Sequence, residues 1–458
     1  MAIYTEEKAK ALLTKVLSYS TADGCECNLN GSVAGNIRYA RNTVSTAGEV
    51  SDVTLAIQSS FGKRTGVTTL NEFSDDALKR AVKRSEELAK LAPENPEFMP
   101  NLGPAEYKKV DGWFKSTASM TPEQRAAAAD ASISPSKKNK LIASGFLDNN
   151  ESFNAIMNEK GMFAYYLSTA VNFTATIRTE DGTGSGWVTR DYSDASKMDT
   201  SKASDIAIQK AMDSRDAKEM EPGKYTVIME PAATVTLLQN MAGNMAQRSA
   251  DEGRSFLSKK PAEGEEAKEG DPTNKLGVKM FDERISIWSD PQSPECPTAP
   301  FAGDGAPVGK TVWVDKGVIK AMPNTRYWAQ KTGVEYRPTA YTGGGLFGGN
   351  AQILMSGGDE SLADLIKGTR RGVLVTRLWY IRQLDPQTLM YTGLTRDGTF
   401  YIEDGKIKYP IKNFRFNESP IVMLNNIEAL GKPVRIEGSM IPPMKIRDFT
   451  FSSLSDAV

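Results

Sequence analysis

The sequence predicts an α+β fold, with an N-terminal α/β region followed by a large antiparallel β-rich C-terminal domain. Apolar residues recur at helical spacing in only a few separate segments. Alternating strand patterns and Asp-Gly turns dominate from residue 223 onward. At 458 residues the chain exceeds one ordinary core, and segments 1–100, 101–222 and 223–458 are the expected domains.

Residues 6–17 read as an opening helix with Ala9, Leu12, Leu13, Val16 and Leu17 on its apolar side. Short strands are expected next: Val53, Leu55 and Ile57 alternate with polar neighbours, and Gly62 to Gly66 marks a turn. A second helix is expected after Ser74, with Asp75 and Asp76 at its positive end and a stop before Pro93. Pro93 to Pro104 reads as a linker. Thr121-Pro122-Glu123-Gln124 has the form of a capping box and opens a short alanine-rich helix. Val171, Phe173, Ala175 and Ile177 alternate along a strand that ends in a turn at Asp181 to Gly186. The Asp-Gly-Thr-Gly in that turn has the form of an aspartic-protease signature, but the second matching loop of such a dyad is missing. Ala203, Ile206, Ala207 and Ala211 predict a helix before Pro222.

In the C-terminal domain Tyr225, Val227 and Met229 lead into a helix that begins at Pro231. Leu238, Met241, Ala242, Met245 and Ala246 form its apolar stripe, and Gln239, Asn240 and Asn244 lie off it. The charged run from Lys259 to Gly277 reads as a mobile surface loop. Asp315-Lys316-Gly317, Asp397-Gly398 and Asp404-Gly405 read as hairpin turns within a meander of antiparallel strands. Tyr341 to Asn350 is glycine-rich without the Gly-Lys-Ser/Thr of a phosphate-binding loop, and reads as a flexible connection. Strand patterns continue through Gly372 to Arg382 and close in Met444 to Phe451.

Composition removes several chemistries. The chain carries 56 basic and 57 acidic residues, a net charge of -1, without a Lys/Arg-rich patch, so direct nucleic-acid binding is not expected. It contains no histidine, which excludes histidine-activated nucleophiles and imidazole-bound zinc. Its three cysteines are Cys25, Cys27 and Cys296. The first two share a strand face as small buried hydrophobes, and the odd number gives no disulfide framework. The amino-terminal stretch MAIYTEEKAKALL lacks the order of a secretory signal, and no apolar run approaches a membrane span. A soluble cytoplasmic protein without membrane partners is expected.

Pro231 to Ser258, with its surroundings, resembles the TldD/PmbA peptidase family, the "modulator of DNA gyrase" family. Further segments carry the likeness in order: FAGDGAPVGKTVWVDKGVIK, GVLVTRLWYIR, TGLTRDGTFYIEDGKI and the terminal PPMKIRDFTFSSLSDAV. In TldD-type subunits the resemblance implies a zinc-binding His-Glu-x-x-x-His and a third ligand from a cysteine near the carboxyl end. Here the motif places read Gln239, Asn240 and Asn244, and Leu430 to Ser439 contains no cysteine. Amides neither hold zinc well nor accept a proton at neutral pH. Positions 239 and 244 point about 140° apart on an ideal helix, so joint use needs a loosened turn, which Gly243 permits.

The resemblance therefore implies a TldE/PmbA-like subunit without an intact catalytic or metal site, silent alone and pairing with a TldD-type catalytic subunit that carries the zinc. The pair would enclose a chamber that degrades or processes unfolded peptides. Arg248, Asp251, Glu252 and Arg254 follow the altered motif as substrate-groove candidates. Two alternatives stay open: a metallopeptidase of this family active through a non-standard site, and a homodimeric peptide-binding protein or modulator of DNA gyrase.

Overall fold

In the computed structural model, residues 3–259, 271–340 and 351–455 are described. Local signals open the helices where the sequence places them. The Thr5 side chain accepts from the Lys8 N–H to start α1 (Glu6–Leu17). Strands β1 (Gly24–Ala40), β2 (Thr43–Phe61) and β3 (Arg64–Leu70) follow, then α2 (Asp75–Leu91), capped by Ser74 and ended at Ala92. After α3 (Lys115–Ala118), α4 (Pro122–Lys138) starts with the expected reciprocal bonds between Thr121 and Gln124. It runs 17 residues rather than a short stretch, with Pro135 in its last turn. Then come β4 (Leu141–Asn158), β5 (Phe163–Thr179), β6 (Ser185–Tyr192) and α5 (Thr200–Asp213).

The expected short strands are in fact long: β1, β2 and β4 span 17, 19 and 18 residues. They build one antiparallel sheet of order β3-β2-β1-β4-β5-β6, to which the segments on either side of residue 100 contribute three strands each. All four long helices pack on one of its faces. Leu29, Leu55 and Phe153 meet α1 and α2, whereas Tyr39, Leu147 and Phe173 meet α4 and α5. Cys25 and Cys27 are buried on this helix-covered face. Among the described residues Asp181 accepts from Thr179 and Thr183 and shapes its own turn, with no second carboxylate acting on it.

The remaining chain forms two sheets around a common core. One has the order β10-β9-β8-β11-β20-β19 and uses β8 (Ile287–Ser289), β9 (Thr311–Asp315), β10 (Val318–Ile319), β11 (Leu354–Met355), β19 (Val434–Ile436) and β20 (Ser439–Ile441). The other has the order β13-β14-β17-β21-β7-β12-β15-β16, with β18 beside β21. Its strands are β7 (Gly223–Met229), β12 (Arg371–Val375), β13 (Leu378–Asp385), β14 (Met390–Thr395), β15 (Thr399–Glu403), β16 (Lys406–Pro410), β17 (Phe414–Glu418), β18 (Ile427–Leu430) and β21 (Met444–Leu454). β7 lies at its centre, parallel to β12 and antiparallel to β21, which buries Val227, Ile228 and Met229 on both faces.

The meander expectation holds only in part. Lys316-Gly317 and Asp404-Gly405 close the β9–β10 and β15–β16 hairpins with both central residues at positive φ. Asp397-Gly398 closes no hairpin: β14 pairs with β13 and β17, and β15 pairs with β12 and β16. Gly372 to Arg382 is not one strand either, because Thr376 and Arg377 separate β12 from β13. The glycine-rich stretch 341–350 lies outside the described residues, as does most of the 259–277 loop. No described helix is long and apolar enough to cross a membrane.

Candidate functional site

Strand β7 delivers the chain to α6 (Pro231–Gly243). Proline at the first helical position removes an amide that would have no partner there. Glu230 precedes it and pairs with Lys210 of α5 at 2.7 Å, fixing the helix start against the first sheet's layer. Ala233, Val235, Leu237, Leu238 and Met241 are buried on nearly all sides. Each large apolar side chain here contributes roughly 1.5–3 kcal/mol on burial, so the helix is held independently of its polar positions. Beyond Gly243 the Asn244 backbone leaves the helix (φ -97, ψ 6), and α7 (Gln247–Asp251) follows. At this end the Asn244 N–H bonds the Met241 carbonyl at 3.0 Å, so the last turn is tightened and not loosened as the spacing predicts. Gly243 is not sterically needed for it, since a Cβ there would meet nothing within 4 Å.

The turn brings Gln239, Asn240 and Asn244 to the wall of one cavity of about 470 Å³. Met241 and Met245 share that wall, and Ile287, Trp313, Val308 and Ile353 line the far side. The polar groups form a neutral network. The Asn244 amide nitrogen donates to the Asn240 carbonyl at 2.8 Å and to the Tyr391 hydroxyl at 3.3 Å. Gln383 donates to the Asn244 Oδ1 at 3.3 Å and to the Tyr391 hydroxyl at 3.1 Å. Burial pushes the Tyr391 phenol above its ordinary range, so it stays protonated at neutral pH. The Gln239 amide nitrogen is buried and meets no geometric hydrogen-bond partner among the described residues. Its side chain is nevertheless near enough to Glu437 to favour that residue's charged form.

Glu437 was not singled out in the sequence. It sits at φ 47 between β19 and β20, inside the Leu430 to Ser439 segment that lacks the cysteine. Burial raises its carboxyl pKa, with Asp191 adding to the effect and Arg377 opposing it. The one sequence signal for it was an acidic residue before glycine in a tight turn. It does not line the cavity.

Zinc does not fit this donor set. The motif places offer neutral amides, and the described residues contain no group of three His, Cys, Asp or Glu side chains able to hold a metal. The cavity can bind through hydrogen bonds and apolar contact, and none of the described residues lining it is a carboxylate, lysine or other base.

Arg248, Asp251, Glu252 and Arg254 lie beyond the cavity wall, in and just after α7. Arg248 pairs with Glu97 at 2.8 Å and Glu252 at 3.0 Å, with its guanidinium 5.0 Å from the Trp328 ring centroid. Asp251 accepts from Thr273, Asn274 and Trp328. Glu252 also bonds Arg254, which is exposed.

Comparison with known proteins agrees with this architecture. Residues 25–89, 116–215 and 222–453 match the models of PmbA/TldA metallopeptidase domain 1, central domain and C-terminal domain. The chain is 23% identical over 331 residues to a "Metalloprotease" of Methanothermobacter thermautotrophicus, covering 69% of this chain and 67% of the relative. It is 20% identical to "Metalloprotease PmbA" of Escherichia coli O157:H7, covering 94% and 93%. Among solved structures, TldE from Thermococcus kodakarensis superposes with a TM-score of 0.83 at 18% identity, covering 97% of this chain and 99% of that one. A Thermotoga maritima protein described as a candidate DNA gyrase modulator gives 0.82 at 16% identity, covering 98% and 100%. The C-terminal match alone spans more than half of the residues, and the chain belongs to the PmbA/TldA metallopeptidase family.

Proposed function

We propose that this chain is a TldE/PmbA-like, non-catalytic subunit that pairs with a histidine-bearing TldD-type partner, which carries the zinc, and acts on unfolded peptides. One observation carries the reading: a cavity lies at the motif while all three motif places on its wall, Gln239, Asn240 and Asn244, present amides. Peptide hydrolysis as the assembly's activity is supported by the names of the two curated relatives, "Metalloprotease" and "Metalloprotease PmbA". On this reading the chain shapes a peptide site and the partner performs the chemistry.

The test is the intact mass and metal content of the complex purified gently from its native cell. A heavier species with a second family member and zinc is expected. A metal-free homodimer would overturn the reading in favour of a peptide-binding protein or gyrase modulator. Turnover of an unfolded peptide by the pure chain, abolished by a chelator, would overturn it in favour of a non-standard active site.

A further inference from the structure

The outer face of β13, β14 and β17 gathers arginines that lie far apart in the sequence. Arg382 is opposite Thr392, and Trp379 and Arg415 are both opposite Leu394, so these side chains stand on one face of the three strands. The other face, with Tyr391 and Phe416, is buried in the C-terminal core. Trp379 and Arg382 are three residues apart, and a regular strand would point them to opposite faces. An irregularity between them, with Tyr380 at φ 55, turns both outward. A positive φ is costly for a residue with a Cβ, and such conformations concentrate where a side chain must be aimed at a ligand.

The arginines of this face have rings beside them but no counter-ions. Arg382 lies over the Tyr380 ring at 4.5 Å, and Arg396, just beyond β14, lies over the Trp379 ring at 5.3 Å. Arg415 reaches the Thr392 hydroxyl at 3.5 Å. Arg382 and Arg415 are exposed and Arg396 is half-buried. None of the three forms an ion pair among the described residues, whereas Arg377 behind them is paired with Asp397. Asp385, the next acidic residue along β13, accepts from Gln387 and Thr388. Stacking uses the flat face of a guanidinium and leaves its N–H rim open to an acceptor.

We propose that this face is a docking surface for an acidic polypeptide segment. The proposal is independent of the subunit reading above. Three positive charges without counter-ions attract a partner that carries several negative ones. Carboxylates can meet the N–H rims in bidentate pairs without disturbing the stacks that hold the guanidinium groups. Nucleic acid also carries anions, but single strands bind protein surfaces by stacking bases on aromatic rings. Here both exposed rings already carry guanidinium groups, and Trp379 carries a second one, that of Arg377 at 4.5 Å.

Isothermal titration calorimetry of the full chain tests this with three unlabelled probes: a peptide of alternating glutamate and serine, the same peptide with glutamine for glutamate, and oligothymidine. The glutamate peptide is expected to bind, more weakly as salt rises from about 50 to about 200 mM. The glutamine peptide is expected to bind at least about tenfold more weakly than the glutamate peptide. Arg382→Gln with Arg415→Gln is expected to weaken the glutamate peptide about tenfold, the loss of two exposed charge pairs. Arg396→Gln, with a loss of about threefold, serves if that pair fails to fold. Absence of binding by the unaltered chain, equal binding of the glutamine peptide, or unchanged binding by the variants that fold overturns the proposal. Tighter binding of oligothymidine than of the glutamate peptide also overturns it, in favour of a nucleic-acid surface.

Discussion

Asp397, in a dipeptide with the form of a hairpin turn, instead makes a clamp between the N-terminal sheet and the C-terminal core. Its carboxylate is 1% exposed, pairs with Arg377 at 2.6 Å and accepts from Ser185 of β6 at 2.6 Å. The Arg377 guanidinium lies between Trp187 and Trp379, 4.0 and 4.5 Å from their ring centroids. Asp397→Ala leaves that guanidinium, only 16% exposed, without the carboxylate it bonds directly. Breaking one side of such a buried pair costs about 3–5 kcal/mol. Arg377→Met strands the carboxylate and costs a similar amount, softened by the Ser185 bond. Arg377→Met with Asp397→Ala strands neither charge, so the double variant is expected to lose less than the sum of the singles by at least about 2 kcal/mol. Urea unfolding reports this through the fluorescence of the six tryptophans, Trp187 and Trp379 among them, with circular dichroism required to give the same transition. A cost below about 1 kcal/mol for Asp397→Ala, or additivity within about 0.5 kcal/mol, refutes the clamp.

Three further outcomes follow from particular residues. Burial, reinforced by Asp304 and Glu159, pushes the Glu26 carboxyl from 4.5 to about 7. The folded state then holds this proton more tightly than the unfolded one, so stability is lost as pH rises from about 4.5 through about 7, by roughly 3 kcal/mol. Glu26→Gln should stabilise the chain relative to the unaltered protein more at about pH 8 than at about pH 4.5; equal effects in urea titrations at the two values would contradict this. Gly317 has φ 78 and a Cβ there would lie 2.1 Å from the Phe281 carbonyl, whereas Gly243 has nothing within 4 Å. Gly317→Ala should therefore cost more than about 1 kcal/mol and Gly243→Ala should be neutral or stabilising, read as opposite shifts in Tm. Arg248 and Glu97 are 41% and 37% exposed, so Arg248→Ala should cost under about 1 kcal/mol in urea unfolding and less at high salt.

What the sequence made legible were the features whose cause is local. Thr121 and Gln124 satisfy each other's backbone within one turn, and Pro231 starts α6 whatever the distant chain does. Lys316-Gly317 and Asp404-Gly405 join strands that are neighbours in both sequence and space. Asp397-Gly398 has the same local chemistry, but its flanking strands choose partners far away in the chain: β14 takes β17 and β15 takes β12. Strand pairing is decided by side-chain packing across the sheet, which no turn dipeptide encodes. The site divides in the same way. Gln239, Asn240 and Asn244 were readable through the family likeness, whereas Gln383, Tyr391 and Glu437 reach them only through folding.

That a cavity lies beside amide side chains has a physical explanation in how α6 is held. The buried residues that secure the helix, from Ala233 to Met241, are not the residues that would bind an ion. Stability therefore places little constraint on the motif positions, and amides at Gln239 and Asn240 are compatible with the helix and the void beside it. Asn244 is the exception, because its amide closes the end of α6 onto the Asn240 carbonyl and ties it to Tyr391. A histidine at 244 would keep the position but exchange that two-sided amide for a ring with one donor and one acceptor when neutral. The amide thus contributes a structural bond where an imidazole would contribute a ligand. The three positions therefore supply hydrogen-bonding amides, and neither a zinc ligand nor a base, to the cavity they line.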